Sequence, residues 1–191
     1  MARKALVEDD VLLGRLSATF RNLGYEAASM ALLADAAGLK KASLYHRFPG
    51  GKEELGREVL LDAGRWLTIN ILEPLAGHAP PATKIGDMVA KLDQFYDGGA
   101  QACLLNLMAS PVSGEGPFKS AIQGLFEAFI AALTSVVVQA GYSGKVARDR
   151  AERAVALLHG SLVLSRGLGS TAPFQKMLKA LPGELLGGNQ T

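Results

Sequence analysis

The chain has 191 residues, a mass of 20.0 kDa and a hydrophobic content of 49%, which excludes intrinsic disorder and predicts one domain, or one domain with a small appendage. The 20 Lys and Arg residues nearly balance the 18 Asp and Glu residues, so the net charge of +2 by itself indicates neither nucleic acid nor a membrane as a partner. The single Cys excludes a disulfide framework and a multi-cysteine metal site, and one free thiol is typical of a reducing compartment.

The amino-terminal sequence and the apolar runs argue against secretion and membrane insertion. The basic residues Arg3 and Lys4 are followed by acidic residues 8–10 before any apolar run, which is unlike a signal peptide. The longest apolar run, residues 129–138, contains two hydroxyl side chains and falls short of the ~18 residues that span a bilayer. We therefore expect a soluble cytoplasmic protein without a membrane partner.

The first half of the chain has the apolar spacing of four helices. A stripe from Val11 to Phe20 predicts a first helix that ends at Gly24. Ser29 is suited to cap the second helix, and Gly38 is suited to end it. The second and third helices are predicted at about residues 29–37 and 40–47, and the fourth runs from about Lys52 past Trp66 towards Pro74.

The apolar spacing in the second half of the chain also predicts helices, and no convincing strand pattern interrupts them. Residues 74–82 hold three prolines and a glycine and form the clearest loop. Further helices are predicted at about 83–96, 101–109, 118–140, 145–167 and 172–186, with breaks at glycines and at residues 111–117. The last five residues are expected to fray. These patterns predict an all-α protein of about nine helices.

The second and third predicted helices have the pattern of a helix-turn-helix. Ala34 is small enough for two helices to cross closely, and Gly38 allows the turn between them, where a positive φ is expected. Apolar residues then hold the later helix against the earlier one: Leu33, Leu39, Leu44 and Phe48. The side chains left facing outward are Lys40, Lys41, Ser43 and His46, with Tyr45 at the flank.

Basic charge is concentrated in this part of an otherwise nearly neutral chain. Residues 36–52 contain Lys40, Lys41, Arg47 and Lys52, and no Asp or Glu. A chance run of charge on a solvated helix face would give the same count. Together with the turn pattern, however, the cluster favours contact with nucleic-acid phosphates.

Four segments, together with Ser29 between the first and the second, resemble the TetR family of transcriptional repressors at fixed spacing. They are residues 20–25 (Phe-Arg-Asn-Leu-Gly-Tyr), 33–39 (Leu-Ala-Asp-Ala-Ala-Gly-Leu), 43–48 (Ser-Leu-Tyr-His-Arg-Phe) and 52–55 (Lys-Glu-Glu-Leu). The form of residues 48–55 is most similar to the LmrA/YxaF-like branch. Residues 102–107 resemble a Gly-Cys-Pro-Leu segment of that branch, although Ala102 and Leu104 replace its Gly and Pro.

The resemblance implies roles for the residues around the predicted recognition helix. Ser29, Tyr45 and Lys52 are expected to hold phosphates, Lys41, Ala42 and Ser43 to meet base edges, and Lys40 and His46 to do either. Two positions depart from the family pattern. Lys40 stands where the family usually has a capping Ser, so that the cap is either lost or supplied by water, and Ala42 stands where the family often has Gly or Pro. Tyr25 is expected to pack beneath the helices rather than touch DNA.

The resemblance further implies a DNA-binding domain at residues 1–55 and a ligand-binding and dimerisation domain at residues 56–191, with the boundary inside the fourth helix. The candidate residues around a ligand cavity are Trp66, Met88, Leu92, Phe95, Tyr96, Cys103, Leu107, Phe118, Phe126 and Phe129, although residues of these types at helical spacing are more often plain core. Because ionisable residues are few there, we expect a mostly apolar effector, and a planar one if the branch is right.

The resemblance thus implies a homodimer that binds double-stranded operator DNA and responds to a small molecule. Small residues in helix 145–167 permit close approach, so this helix and helix 172–186 are the expected dimer interface. Alternatives are an activator, a regulator without an effector, or a helical carrier of apolar ligands. Cys103 and His159 suggest catalysis only weakly, because no local signature joins them. We therefore expect no enzyme activity, no cofactor and no metal.

Overall fold

The computed structural model describes residues 9–109 and 116–188, and within these ranges it contains nine helices and no strand. The helices are α1 (Asp9–Ala27), α2 (Met30–Ala37), α3 (Lys41–Arg47), α4 (Gly51–Leu67, continued by Thr68–Leu72 and Glu73–Ala76), α5 (Pro81–Phe95), α6 (Leu104–Met108), α7 (Lys119–Gln139), α8 (Gly144–Leu168) and α9 (Ala172–Leu186). The all-α prediction is confirmed. The signal-peptide argument on residues 1–8, most of the break at 111–117 and the end of the tail lie outside the described residues.

The ends of the first helices follow from local chemistry. The backbone of Gly24, with φ 78° and ψ 165°, departs from helical geometry inside α1, where the sequence predicted the helix to end. The hydroxyl of Ser29 caps α2 by accepting a hydrogen bond from the backbone N–H of Leu32 at 3.3 Å. Gly38 ends α2 in the left-handed conformation, with φ 67°, which glycine adopts without strain. Both predicted caps of α2 are confirmed.

Helix α4 contains a π-helical turn at Thr68–Leu72, which the sequence pattern did not predict. The side chains of Thr68 and Asn70 donate hydrogen bonds to the carbonyls of Gly64 and Trp66, at 2.9 and 3.0 Å. Such side-chain bonds compete with the backbone ladder and accompany a change of helical pitch. The predicted continuation of the helix past Trp66 towards Pro74 is confirmed.

The helices pack into two units, each with its own core. One unit comprises Met1–Ala63 with Leu104–Ser120, and the other comprises Gly64–Cys103 with Ala121–Thr191. The division therefore falls inside α4, after Ala63, and α6 belongs to the first unit rather than the second. The functional boundary between residues 55 and 56 remains a prediction, since packing alone does not define it.

The first unit is built around fully buried side chains of α1 to α4. These are Leu16, Phe20, Leu33, Leu44 and Leu55, each with 0% exposure. Gly56 in α4 lets the ring of Phe118 approach closely, because a Cβ at this glycine would lie 2.6 Å from the ring. The phenol ring of Tyr25 meets the same ring edge-on, with centroids 4.8 Å apart.

The second unit is built on aromatic contacts and on close packing of α8 against α9. Trp66 stacks on Phe95 with ring centroids 3.9 Å apart, and Tyr96 meets Phe174 edge-on at 5.7 Å. Gly99, at φ 100°, admits the Phe174 side chain, whose Cβ would lie 2.7 Å from a Cβ at the glycine. The hydroxyl of Ser165 in α8 accepts a hydrogen bond from the backbone N–H of Phe174 at 3.2 Å, which joins the two helices.

Helix α7 is long and apolar enough to cross a membrane by length and composition alone, with a mean hydropathy of 1.8 over its most apolar stretch. The same test is passed by core helices of folded domains. In α7, Phe129, Leu133, Val136 and Val137 are buried, and 28% of the most apolar stretch of the helix is buried.

Candidate nucleic-acid interface

Helix α3 presents a continuous outward face made of the residues that the sequence predicted for DNA contact. Leu44 is fully buried and fixes the inner side of the helix. The exposed residues of the helix are Lys41, Ala42, Ser43, Tyr45 and His46, and the exposed Lys40 precedes them. A seven-residue helix held by one buried leucine can present all of these side chains to one partner surface.

The position of α3 is set by the turn that precedes it. Ala34 and Ala37 of α2 are buried, with exposed fractions of 3% and 0%, and their small side chains allow close packing. The guanidinium of Arg15 donates a hydrogen bond from Nη1 to the carbonyl of Ala37 at 3.2 Å, which ties the end of α2 to α1. The end of α2, from which the turn to α3 begins, is thus held by close packing and by this hydrogen bond.

The outer face of α3 carries less net positive charge than the count of cations in residues 36–52 suggests. Arg47 forms an ion pair with Asp9 of α1, so its charge is partly neutralised by a residue outside the basic segment. Lys41 remains exposed, and its Nζ lies 5.9 Å from the ring centroid of Tyr45. Lys40 begins α3 without a side-chain cap, as expected from its lack of an acceptor. The basic face therefore consists of Lys40 and Lys41, and His46 is exposed on the same helix.

Lys52 is bound to the end of α1. Its Nζ donates hydrogen bonds to the carbonyls of Tyr25 and Glu26, at 3.0 and 3.3 Å, and lies 4.3 Å from the centroid of the Tyr25 ring. Since an ammonium has three N–H donors, one remains for a phosphate. The phosphate contact of Lys52 stays a prediction. The structure adds a second role, because these hydrogen bonds hold the start of α4 against the end of α1, which the sequence motif did not reveal.

Tyr25 packs within the first unit, as the sequence interpretation favoured. Its ring contacts Phe20 at 5.8 Å between centroids and Phe118 at 4.8 Å. Burial, together with the negative charges of Glu53 and Glu26, raises the pKa of its hydroxyl above the ordinary value of 10.0. The hydroxyl is therefore neutral at physiological pH.

Ser29 keeps a hydrogen-bonding capacity beyond its role as a cap. Its oxygen accepts the N–H of Leu32, and the residue is exposed at the start of α2. The hydroxyl hydrogen is then available to an acceptor outside the helix. This arrangement is compatible with the phosphate contact predicted for Ser29.

The ten residues predicted around a ligand cavity fall into both units. Leu107 and Phe118 belong to the first unit, where Phe118 contacts Tyr25, so the structure does not place them in the second unit with the others. The second unit holds the remaining eight. Met88, Leu92, Tyr96, Cys103 and Phe129 are buried there, whereas Trp66, Phe95 and Phe126 are half-buried. Their role in ligand binding stays a prediction.

Within the second unit, Cys103 lies close enough to His159 to affect the pKa of the imidazole, a proximity that the sequence did not predict. His159 lies in α8, its Nδ1 is 2.7 Å from the carbonyl oxygen of Val155, and its ring meets Phe126 edge-on at 4.9 Å. Burial lowers the pKa of His159, but its interactions with Cys103 and with the carbonyl of Val155 together raise the pKa above its ordinary value. No spacing rule joins two residues so far apart along the chain.

Comparison with known families gives two matches that together span most of the chain. Residues 17–59 match the model of bacterial regulatory proteins of the tetR family. Residues 81–180, more than half of the chain, match the C-terminal domain of LmrA/YxaF-like transcriptional regulators.

Two proteins of Bacillus subtilis (strain 168) are similar over nearly their full length. The uncharacterized HTH-type transcriptional regulator YxaF is 22% identical over 174 residues, covering 90% of this chain and 91% of the relative. The HTH-type transcriptional regulator LmrA is 21% identical over 174 residues, covering 90% and 93%.

Solved structures share the fold. A TetR transcriptional regulator from Legionella pneumophila superposes with a TM-score of 0.80 at 22% identity, covering 94% of this chain and 97% of the other. A TetR-family regulator from Agrobacterium tumefaciens gives a TM-score of 0.76 at 20% identity, covering 91% and 94%. At these identities the superpositions establish the fold alone.

Proposed function

The chain belongs to the TetR family of transcriptional regulators, in its LmrA/YxaF-like branch, and from this premise we propose that it is a ligand-responsive repressor that binds a pseudo-palindromic operator as a dimer. Its family and relatives are DNA-binding regulators and not enzymes. The observation that carries the proposal is the exposed, basic outer face of α3. The proposal places the protein in the cytoplasm, where the operator is accessible.

The first step of the proposal is insertion of α3 into the major groove. The groove of B-DNA is about 12 Å wide and admits one helix. Lys41 and Ser43 carry groups that can hydrogen-bond base edges, and the methyl of Ala42 suits the methyl of thymine. The hydroxyls of Tyr45 and Ser29 and the remaining N–H of Lys52 would hold the flanking phosphates.

The second step is dimerisation through α8 and α9. Helix α8 carries exposed apolar side chains at helical spacing: Leu157, Leu164 and Leu168 are 39%, 57% and 70% exposed. The exposed Gly160 lies on the same face and permits close approach of a second helix. An apolar stripe of this kind is costly in water, and a second copy of the chain would cover it. Two copies of α3 would then address half-sites about one DNA turn apart.

The third step is release by a mostly apolar effector bound in the second unit. Helix α4 begins in the first unit and continues into the second, where Trp66 stacks on Phe95. We infer that effector binding among these aromatic residues changes the position of α4. For release, the effector must bind the DNA-free state more tightly than the DNA-bound state. Equal affinity for the two states would leave the equilibrium between them unchanged.

Genome-wide mapping of DNA bound by the protein, followed by a reporter driven by a mapped promoter, tests the proposal. We expect discrete sites next to promoters and higher reporter expression when the protein is absent. Lower expression in its absence would identify an activator. Absence of discrete sites would favour the helical carrier of apolar ligands.

A further inference from the structure

Arg47 lies at the flank of α3, beside the face that the helix presents outward. It is the last residue of the helix and follows the fully buried Leu44 by one helical turn, so the two side chains leave the helix on neighbouring sides. The Arg47 side chain is 26% exposed, whereas Tyr45 and His46 are exposed residues. A helix in the major groove is bordered by the two phosphate backbones, so a cation at its flank is placed for phosphates rather than for base edges.

The guanidinium of Arg47 is paired with an acid from another helix. Its Nη2 contacts Oδ1 of Asp9, which lies in the first turn of α1. The ion pair of Arg57 with Glu53 is of a different kind, because it joins residues four positions apart in one helix and follows from helical periodicity alone. The pair of Arg47 with Asp9 instead requires the start of α1 to meet the end of α3. It is thus a feature of the folded DNA-binding unit.

Asp9 offers this guanidinium the same kind of partner that DNA offers. A planar guanidinium binds carboxylate oxygens and phosphate oxygens through the same N–H groups. The Asp9 side chain is 77% exposed, so the pair lies in water and opens without leaving a buried charge. An exposed pair is favoured over its open form by no more than about fivefold. A DNA phosphate beside α3 can therefore replace the carboxylate.

We propose that Asp9 is an internal competitor of DNA, and that binding exchanges the Asp9 carboxylate for a phosphate on the guanidinium of Arg47. In the free protein the ion pair stabilises the unbound state, so the free energy of opening it is subtracted from the DNA affinity. After the exchange, Arg47 contacts a phosphate at the end of α3, and the Asp9 carboxylate is released to water. Because a phosphate contact carries no sequence information, Asp9 lowers the affinity for all DNA sequences alike.

A positioning role for the ion pair predicts the opposite sign. If the pair held α3 in place, its loss would weaken DNA binding, whereas loss of a competitor strengthens it. Other contacts already hold this part of the unit. Leu44 is fully buried, and Nη1 of Arg15 donates a hydrogen bond to the carbonyl of Ala37 at 3.2 Å, just before the turn into α3. These contacts do not involve Asp9, and they favour competition over positioning.

The inference rests on the entry of α3 into DNA in the proposed function, but on neither a dimer, an operator sequence nor an effector. It is therefore tested with the full-length protein on a short labelled duplex of arbitrary sequence, by fluorescence anisotropy at low and at high salt. A wild-type protein that binds no duplex at low salt would overturn both the proposed function and the exchange. If the wild type binds DNA, the variants below decide the exchange alone.

Asp9→Asn is compared with Asp10→Asn, its matched control. Both substitutions remove one negative charge from the first turn of α1, but the exposed Asp10 leaves the helix about 100° further round. We expect Asp9→Asn to bind about two- to fivefold more tightly than Asp10→Asn, with a smaller difference at high salt, where charges are screened. Asp9→Glu keeps the carboxylate and should bind like the wild type. Equal affinities of Asp9→Asn and Asp10→Asn would overturn the exchange, and weaker binding by Asp9→Asn would show that the pair positions α3.

Arg47→Gln assigns the effect to the guanidinium. Alone, this change should weaken binding to every sequence and make the slope of log K against log salt shallower by about one unit. In the Arg47→Gln background, Asp9→Asn and Asp10→Asn should raise the affinity equally, because no guanidinium is left to release. A persistent advantage of Asp9→Asn would show that Asp9 acts on DNA directly, which would overturn the exchange. Thermal unfolding checks the fold of each variant, and if Arg47→Gln does not fold, the comparison of the two Asp variants decides.

Discussion

The ammonium of Lys52 lies 3.0 Å from the carbonyl oxygen of Tyr25 and 4.3 Å from the centre of its ring, so one side chain joins the start of α4 to the end of α1. A lysine in this position serves two purposes. It satisfies carbonyls that the end of α1 leaves without helical partners, and it keeps positive charge near the start of α4. Both ends that it joins belong to the proposed DNA-binding unit, so its effects on folding and on binding must be separated by experiment.

Lys52→Ala is expected to lower both the stability of the protein and its affinity for every DNA sequence. Loss of the two carbonyl bonds and of the contact with Tyr25 should cost about 1–3 kcal/mol of unfolding free energy, as measured by urea denaturation. If the remaining N–H meets a phosphate, the slope of log K against log salt should become shallower by about one unit. Lys91→Ala, at an exposed lysine of α5, is the matched control. An unchanged salt slope would leave Lys52 with a positioning role only.

Lys41→Ala should relax base choice at one position of each half-site. A lysine that hydrogen-bonds a guanine is worth about 1–3 kcal/mol of discrimination, whereas a phosphate contact carries no sequence information. The structure leaves Lys41 exposed on α3, with Tyr45 as its aromatic neighbour. In vitro selection with the variant checks the expectation. If the variant returns the same consensus as the wild type, Lys41 contacts only the backbone of the DNA.

Leu164→Glu should convert the protein to a monomer with little affinity for the operator. The side chain is 57% exposed on the apolar face of α8, and a carboxylate would be buried against its symmetry mate in the proposed dimer. Analytical ultracentrifugation gives the mass, and thermal unfolding tests whether the protomer still folds. Val138→Glu is the control, since Val138 is 45% exposed on α7, outside the proposed interface. A dimeric Leu164→Glu would place the interface elsewhere.

Trp66→Leu should keep the dimer and its DNA affinity but raise the effector concentration needed for release. The indole stacks on the ring of Phe95 with centroids 3.9 Å apart. A planar effector could stack on this pair of rings or insert between them. As the single Trp of the chain, it should also report effector binding by a fluorescence change in the wild type. Normal release from the variant, together with constant wild-type fluorescence, would show that Trp66 only packs α4 onto its unit.

The sequence was informative wherever structure depends on neighbours along the chain. The caps of α2 at Ser29 and Gly38 could be predicted because each depends on local backbone geometry. The buried position of Leu44 followed in the same way from helical periodicity. The basic outer face of α3 was therefore predictable once the turn had been recognised.

What could not be predicted depends on contacts between distant residues. The ion pair of Arg47 with Asp9 and the proximity of Cys103 to His159 arise only when distant segments of the chain pack together. The same holds for Phe118, which the sequence grouped with the ligand residues and which the structure places beside Tyr25. Periodicity shows which side of a helix is buried, but not which helix covers it.

In vitro selection from random duplexes with the full-length protein shows whether α3 of a symmetric dimer binds DNA. We expect an inverted repeat whose half-site centres lie about one helical turn apart, roughly 10 base pairs. Each selected duplex should bind two chains, as counted by mass measurement of the complex. Enrichment of an asymmetric sequence bound by one chain, or no enrichment at all, would exclude binding by two symmetry-related α3 helices.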